Sequence, residues 1–291
     1  MSAIAAAAQE ELGTRAPRRA LAKFRSNRSA MVGGAIVGFF ILCALLAPWL
    51  TPYDPLKTSF SLVRKPPSAE HWRGTDEIGR DLLARILYGA RASLLAGVIS
   101  VSIAVLAGAP LGLIAGYRGG WTDTVISRAT EALLAVPFLV LAIALSAFLG
   151  PSLFNAMIAI GLAAVPIFVR LARAQALQVK AEDYVEGARA IGLPDRWIMI
   201  RYIAPNAFAP VLVQATLTIA QAIIVEASLS FLGLGQQPPN PSWGSMLNVA
   251  KNFMTQSPWM SLWPGAAIFL AVLGFNLLGD GLRDALDPKE N

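Results

Sequence analysis

The stretch EGARAIGLPDRWIMIRYIAP, residues 186–205, lies between two long apolar runs and decides how the chain is organised. Gly192 stands where a helix can end in the left-handed backbone conformation that glycine adopts without strain. Pro194 suits the first turn of a new helix, because its missing N–H is not needed there. The stretch is therefore predicted to form a helix, a sharp turn and a second helix between two apolar segments.

The first of these helices is predicted to have two different faces. Tyr184, Ala188 and Ile191 recur at i, i+4 and i+7, and this spacing places them on one apolar face suited to docking. The opposite face carries Glu182, Glu186 and Arg189. An amphipathic connector that faces only water would show the same pattern, so that alternative stays open at this point.

Composition indicates a membrane protein. Hydrophobic residues make up 55% of the chain and charged residues only 14%, whereas soluble domains carry about 25% charged residues. A bilayer-spanning helix needs about 20 apolar residues. Charge-free runs occupy residues 29–53, 92–117, 132–169, 202–225, 227–250 and 252–279. The fold class is therefore predicted to be all-α, a polytopic helical membrane protein.

The boundaries of the spans follow from the breaks in these runs. The run 132–169 is too long for one span and is interrupted at Gly150-Pro151-Ser152. Most of the run 227–250 is predicted to be a loop, since residues 236–241 read QQPPNP. Six transmembrane helices are expected, at about 30–50, 92–117, 125–149, 153–172, 206–232 and 260–280.

The distribution of basic residues predicts the orientation of the spans. An even number of spans places both termini on one side of the membrane. That side carries 16 of the 24 Lys and Arg residues, and the other side carries 8. Since basic residues are retained in the cytoplasm, both termini are predicted to be cytoplasmic. The net charge of +6 then reflects orientation and lipid headgroups rather than nucleic-acid binding.

Two further patterns predict local structure. Thr75 is expected to cap an amphipathic helix that runs into the second span, with Asp81 and Arg85 paired at i, i+4. Within that span, small residues repeat every fourth position and predict the close approach of another helix. The repeat consists of Ala104, Gly108, Gly112 and Gly116.

Glu226 is the charge most deeply placed in an apolar stretch. A carboxylate inside a span is costly and faces a cavity or a polar partner. Two hypotheses follow: Glu226 lies on a translocation path, or it makes a structural hydrogen bond near the end of the fifth span.

Signatures of catalysis do not occur in the sequence. There is no G-x-x-x-x-G-K-[ST] phosphate loop, no H-E-x-x-H and no G-x-S-x-G. His71 is the single histidine and Cys43 the single cysteine. The chain is therefore predicted not to be an enzyme, and no catalytic residue, cofactor or metal site is expected.

Residues 186–205 resemble the coupling loop of ABC importer permeases, whose pattern is E-A-A-x3-G-x9-I-x-L-P. The spacing from Glu186 to Gly192 to Pro205 agrees throughout, and three identities depart from the pattern: Gly187, Tyr202 and Ala204. Other blocks resemble the C-type permease of oligopeptide and dipeptide importers. They are GTDEIGRD at 74–81, EASLSFLGLG at 226–235, PSWG at 241–244 and GDGLRD at 279–284.

The resemblance implies a type I ABC importer permease fold in the bacterial inner membrane. The implied partners are a second homologous permease, ABC ATPase subunits as two chains or one fused chain, an extracytoplasmic peptide-binding protein and membrane lipid. The implied ATPase-coupling residues are Glu182, Tyr184, Glu186, Gly187, Ala188, Arg189, Ile191, Gly192 and Pro205.

The organisation expected on this basis has five parts. They are a cytoplasmic tail at 1–29, a first transmembrane helix at 30–50, an outer segment with the amphipathic helix at 51–91, a core permease domain at 92–281 with its coupling loop at 176–205, and a cytoplasmic tail at 282–291.

Peptide import is the expected function, with three alternatives. The same subfamily also imports nickel and glutathione. An ion-coupled secondary transporter is a second possibility, although one deep acid and no internal repeat argue against it. A scaffold that recruits a cytoplasmic partner is the third.

Overall fold

The computed structural model describes residues 27–286 together with Lys23 and Arg25, and this part of the chain is built of α-helices without a β-strand. Most of the tails expected at 1–29 and 282–291 lies outside the described residues. The helices are α1 (Arg28–Leu50), α2 (Leu82–Arg118), α3 (Gly120–Leu134), α4 (Phe138–Leu149), α5 (Leu153–Lys180), α6 (Asp183–Ala190), α7 (Asp195–Ile198), α8 (Ala204–Phe231), α9 (Trp243–Ala250) and α10 (Trp259–Leu286).

Five helical segments are long and apolar enough to cross a bilayer: α1, α2, α5, the continuous helix Asp195–Phe231 and α10. A sixth span exists if α3 and α4 count as one, and these two helices meet at a bend of 91°. The span predicted at 125–149 is therefore two helices joined at a sharp bend. Pro137 directly precedes α4 and has no N–H to continue the hydrogen bonding of α3, so the helix breaks there.

The core of the protein is the contact between α2 and α5. A Cβ atom added at Gly112 would lie 2.3 Å from the carbonyl oxygen of Val169, and one added at Gly116 would lie 2.6 Å from that of Arg173. Only glycine permits the two backbones to approach so closely. The prediction of close helix contact from the small-residue repeat is confirmed.

Helix α1 packs on the outside of this core, mainly against α10. A Cβ atom at Gly33 would lie 2.4 Å from the backbone nitrogen of Leu278, so these two helices also touch through their backbones. Pro48 lies inside α1 and lacks the N–H that would bond the carbonyl of Ala44. The Nε of Arg91, on α2, donates to that carbonyl oxygen at 2.5 Å and so satisfies it.

The connection between α1 and α2, residues 51–81, is folded but not helical over most of its length. Helix α2 begins at Leu82, and its cap is Asp81, whose carboxylate accepts from the N–H of Ala84 at 2.7 Å. The predicted cap at Thr75 is therefore wrong. A helix from Thr75 cannot pass Gly79, whose φ of +78° lies in the left-handed region.

The predicted ion pair between Asp81 and Arg85 is also wrong. Asp81 instead bonds the Nδ1 of His71 at 2.8 Å while it caps α2. The Nε of Arg85 lies 3.4 Å from the carboxylate of Asp76, which Arg80 also contacts at 2.5 Å. Capping turns the Asp81 carboxylate toward the helix start, so it is not available to a residue one turn along.

We predict that Gly112→Ala destabilises the protein while Gly38→Ala does not. The new methyl group at 112 meets the backbone of α5, and such overpacking is worth about 1–3 kcal/mol. A methyl group at 38, on α1, meets nothing within 4 Å, and alanine favours a helix by up to about 1 kcal/mol over glycine.

Thermal unfolding of the two purified variants in the same detergent provides the measurement. Equal unfolding temperatures would show that the α2–α5 contact can widen freely.

Candidate functional site

The polar loop, residues 181–203, joins α5 to α8 and has the helix–turn–helix form predicted from the sequence. Helix α6 has eight residues and ends before Gly192, whose φ is +79°. The N–H of Leu193 donates to the carbonyl of Ala188 at 3.1 Å, which closes the end of the helix. The predicted left-handed glycine is confirmed.

The inner face of the loop attaches it to the bundle. Val185 is 0% exposed and Ala188 only 5% exposed. They pack in one apolar cluster with Tyr117, Ala176, Val179, Ile198 and Ile203. The predicted docking face is therefore incorrect at Ala188, because this side chain faces the protein's own core. A short helix needs such an anchor, since eight residues do not form a stable helix alone.

Other apolar side chains of the loop are exposed. The exposed fractions are 46% for Tyr184, 79% for Ile191, 52% for Trp197 and 67% for Ile200. We call these four residues the apolar patch. The helix Asp195–Phe231 has 37 residues and is about 55 Å long, whereas the hydrocarbon core is about 30 Å thick. The helix is therefore long enough to cross the hydrocarbon core while its first turns, which carry Trp197 and Ile200, lie outside it.

The remaining residues predicted for this site are on the exposed side as well. Glu182, Glu186, Gly187 and Arg189 are all exposed. A Cβ atom at Gly187 would meet nothing within 4 Å, so glycine in place of alanine removes no internal contact. Partial burial, followed by the charge of Glu182, raises the pKa of the Tyr184 phenol.

Pro205 lies inside a continuous helix rather than at the end of a loop. A π-helical turn, Met199–Ile203, precedes it, and the N–H of Ala204 bonds the carbonyl of Met199 five residues back. Proline would collide with the carbonyl four residues earlier in a regular helix. The wider turn accommodates the ring, so the chain passes from α7 to α8 without a break.

Glu226 is completely buried near the end of α8. One carboxylate oxygen accepts from the hydroxyl of Ser93 at 3.1 Å, and the other from the hydroxyl of Ser230 at 2.7 Å. The N–H of Trp243 donates to Ser93 at 3.4 Å, and the N–H of Gln236 donates to Ser230 at 3.0 Å. Two serine hydroxyls thus connect Gln236, in the loop after α8, and Trp243, at the start of α9, to one carboxylate.

Among residues 27–286, no three His, Cys, Asp or Glu side chains are grouped closely enough to hold a metal ion. The polar loop and the Glu226 cluster are the candidate functional features. Sequence patterns identified both, but they did not predict that Ser93 and Ser230 bond Glu226, because that pairing depends on the tertiary fold.

Two family models match the chain. The model described as "Binding-protein-dependent transport system inner membrane component" matches residues 108–291. The model described as "N-terminal TM domain of oligopeptide transport permease C" matches residues 18–67.

Similar proteins of bacteria cover nearly the whole chain. The dipeptide transport system permease protein of Alkalihalophilus pseudofirmus is 49% identical over 94% of this chain and 90% of its own. The probable D,D-dipeptide transport system permease protein of Escherichia coli K12 is 45% identical, over 89% and 87%. The glutathione transport system permease protein of Pectobacterium atrosepticum is 44% identical, over 92% and 89%.

A solved structure shares the fold. It belongs to the MetNI methionine ABC transporter in inward-facing conformations, with a TM-score of 0.58 and 16% identity over 70% of this chain and 97% of that one. The apolar helices and the relatives together make this a multi-pass inner-membrane protein. Since one family model spans more than half of the sequence and the relatives reach 49% identity, the chain belongs to the binding-protein-dependent transport system inner membrane components.

Proposed function

We propose that this chain forms half of the pore of an ATP-driven importer and that its substrates are dipeptides or oligopeptides. The observation that carries the proposal is the two-faced polar loop. Its inner face is fixed to the bundle at Val185 and Ala188, and its apolar patch is left exposed beyond the length needed to cross the membrane. Such a patch needs a protein partner, and an ATPase subunit is the partner that this family supports.

The partners follow from the same reasoning. A second homologous permease completes the pore, and ABC ATPase subunits, as two chains or one fused chain, bind the polar loop. An extracytoplasmic binding protein delivers the substrate. The names of two relatives, at 49% and 45% identity, support dipeptides as substrates. Glutathione, itself a tripeptide, is the second candidate, supported by a relative at 44% identity.

Uptake by the complex in proteoliposomes tests this function directly. Radiolabelled dialanine, glutathione and Ni²⁺ are the three probes, each supplied with the binding protein. We expect dialanine uptake to require ATP on the cytoplasmic side and to persist when ion gradients are dissipated. Uptake driven by an ion gradient without ATP would indicate a secondary transporter, and uptake of Ni²⁺ alone would exclude peptide import.

Glu226 acts, in this proposal, as a structural acceptor rather than as a residue of the translocation path. It has no exposed surface, and both of its oxygens are occupied by serine hydroxyls. The cluster fixes Gln236, in the loop after α8, and Trp243, at the start of α9, against α8 and α2.

We predict that both termini, residues 118–124 and residues 173–204 lie in the cytoplasm, with residues 52–90 and 234–259 outside. Since Cys43 is the only cysteine, a variant lacking it accepts single probes. Ala69→Cys and Glu182→Cys place these probes at exposed positions. An impermeant thiol reagent should label position 69 in intact cells and position 182 only in inverted vesicles. The reverse result would contradict the proposed docking of an ATPase.

We predict that Glu186→Lys and Gly192→Val uncouple the ATPase while the protein still inserts and pairs with the second permease. The first reverses an exposed charge. The second strains the left-handed backbone by about 1–2 kcal/mol, although a Cβ atom there meets nothing within 4 Å. Gly192→Asn is the matched control, because asparagine tolerates this conformation.

ATPase association and substrate-stimulated hydrolysis in reconstituted complexes provide the readout. Wild-type coupling in both Glu186→Lys and Gly192→Val would reduce the polar loop to a simple connector.

We predict that Glu226→Gln leaves assembly and uptake nearly intact, because an amide still has an oxygen acceptor and the serine hydroxyls can reorient. Glu226→Leu removes the acceptor of two buried hydroxyls and should cost roughly 1–3 kcal/mol of stability. Thermal unfolding and uptake of both variants are measured together. Loss of uptake in the Gln variant at normal stability would instead place Glu226 on the translocation path.

A further inference from the structure

One buried side chain at the end of α2 contacts both arms of the polar loop. Tyr117 is 4% exposed and is the second-last residue of its helix. Its hydroxyl donates to the carboxylate of Asp195, on α7, at 2.5 Å. The guanidinium carbon of Arg189, on α6, lies 5.2 Å from the ring centroid. Lys180, which ends α5, donates to the Tyr117 carbonyl at 2.7 Å.

These contacts lie on both sides of the turn at Gly192. Arg189 precedes the turn and Asp195 follows it, so the two arms of the loop meet on one aromatic ring. The apolar patch lies on exposed positions of the same two arms and of the turn between them. A displacement of the patch by a bound partner therefore changes the position of the loop relative to Tyr117 unless α2 moves with it.

Helix α2 is suited to carry such a movement. It has 37 residues without interruption and is about 55 Å long. Its glycines hold it against the backbone of α5 up to Gly116, one residue before Tyr117. At its other end Asp81 caps the helix and bonds His71 of the α1–α2 connection at 2.8 Å. The two ends of α2 are thus tied to segments on opposite sides of the bundle.

We infer that Tyr117 is a positioning residue that transmits displacement of the polar loop to α2, and through α2 to the α1–α2 connection. This inference rests on the proposed function, because an ATPase must move the loop. The ring contacts hold the loop folded and depend little on direction. The hydrogen bond from the hydroxyl to Asp195 is directional. Removing the hydroxyl should therefore weaken the transmission of movement while the ring still holds the loop folded.

The experiment compares four single variants, and the double variant Tyr117→Phe/Asp195→Ala, in the reconstituted complete complex. Tyr117→Phe and Asp195→Ala break the hydroxyl bond, whereas Asp195→Asn keeps an oxygen acceptor for it. Tyr88→Phe makes the same chemical change near the other end of α2, where the hydroxyl makes no hydrogen bond with the described residues. The readout is the number of ATP molecules hydrolysed per dialanine taken up, with co-purification of the ATPase measured in parallel.

We expect Tyr117→Phe and Asp195→Ala to retain the ATPase but to hydrolyse roughly tenfold more ATP per dialanine, a factor equivalent to about 1.4 kcal/mol for a hydrogen bond to a charged group. The double variant should behave like either single one, because both remove the same interaction. Asp195→Asn and Tyr88→Phe should resemble the wild type.

The outcomes distinguish this inference from the function on which it rests. A wild-type complex that takes up dialanine without ATP would overturn both. Normal coupling in Tyr117→Phe, with a coupled wild type, would overturn the inference alone, as would loss of ATPase association in that variant. If Tyr117→Phe does not accumulate in the membrane, the difference between Asp195→Ala and Asp195→Asn decides the matter.

Discussion

Backbone contact between α2 and α5 sets where the other elements lie. Within a bilayer, apolar helices gain little from hiding from lipid that is equally apolar, so close packing of small residues has to supply the association energy. Gly112 and Gly116 supply it here, since no side chain atom fits between the helices at either position. The contact also fixes the register of the two helices. Because Gly116 is held against Arg173, Tyr117 lies beside the residues at which α5 leaves the bundle, and the polar loop folds against it.

Polar groups inside the bundle also depend on contacts between helices. A carboxylate without water must find donors, and Glu226 finds them in Ser93 and Ser230. Proline breaks are compensated in a similar manner, as the guanidinium of Arg91 satisfies the carbonyl of Ala44 that Pro48 leaves free. These contacts connect elements far apart in the sequence. They therefore contribute to holding α1, α2, α8 and the loop after α8 in one arrangement.

The sequence predicts some of this structure well and some of it not at all. Apolar length fixes the spans, and a single Gly192 fixes the turn of the polar loop, because both depend on local chemistry. The 91° bend at Pro137 is not predictable, since proline in a span can kink a helix slightly or break it. The pairing of Asp81 with His71 rather than Arg85 depends on the tertiary fold. Helical periodicity placed Ala188 on an apolar face, but it cannot show whether that face contacts the protein itself or a partner.

This last ambiguity has a physical resolution that bears on function. A helix of eight residues outside the membrane is unstable by itself, so part of its apolar surface must anchor it. Val185 and Ala188 do so, and the apolar side chains left over are Tyr184 and Ile191, with Trp197 and Ile200 on the next helix. A loop that served only as a connector would gain nothing from four exposed large apolar groups in water. A loop that is anchored by its buried apolar side chains and leaves others exposed is suited to bind a partner and to pass that partner's movement to α2.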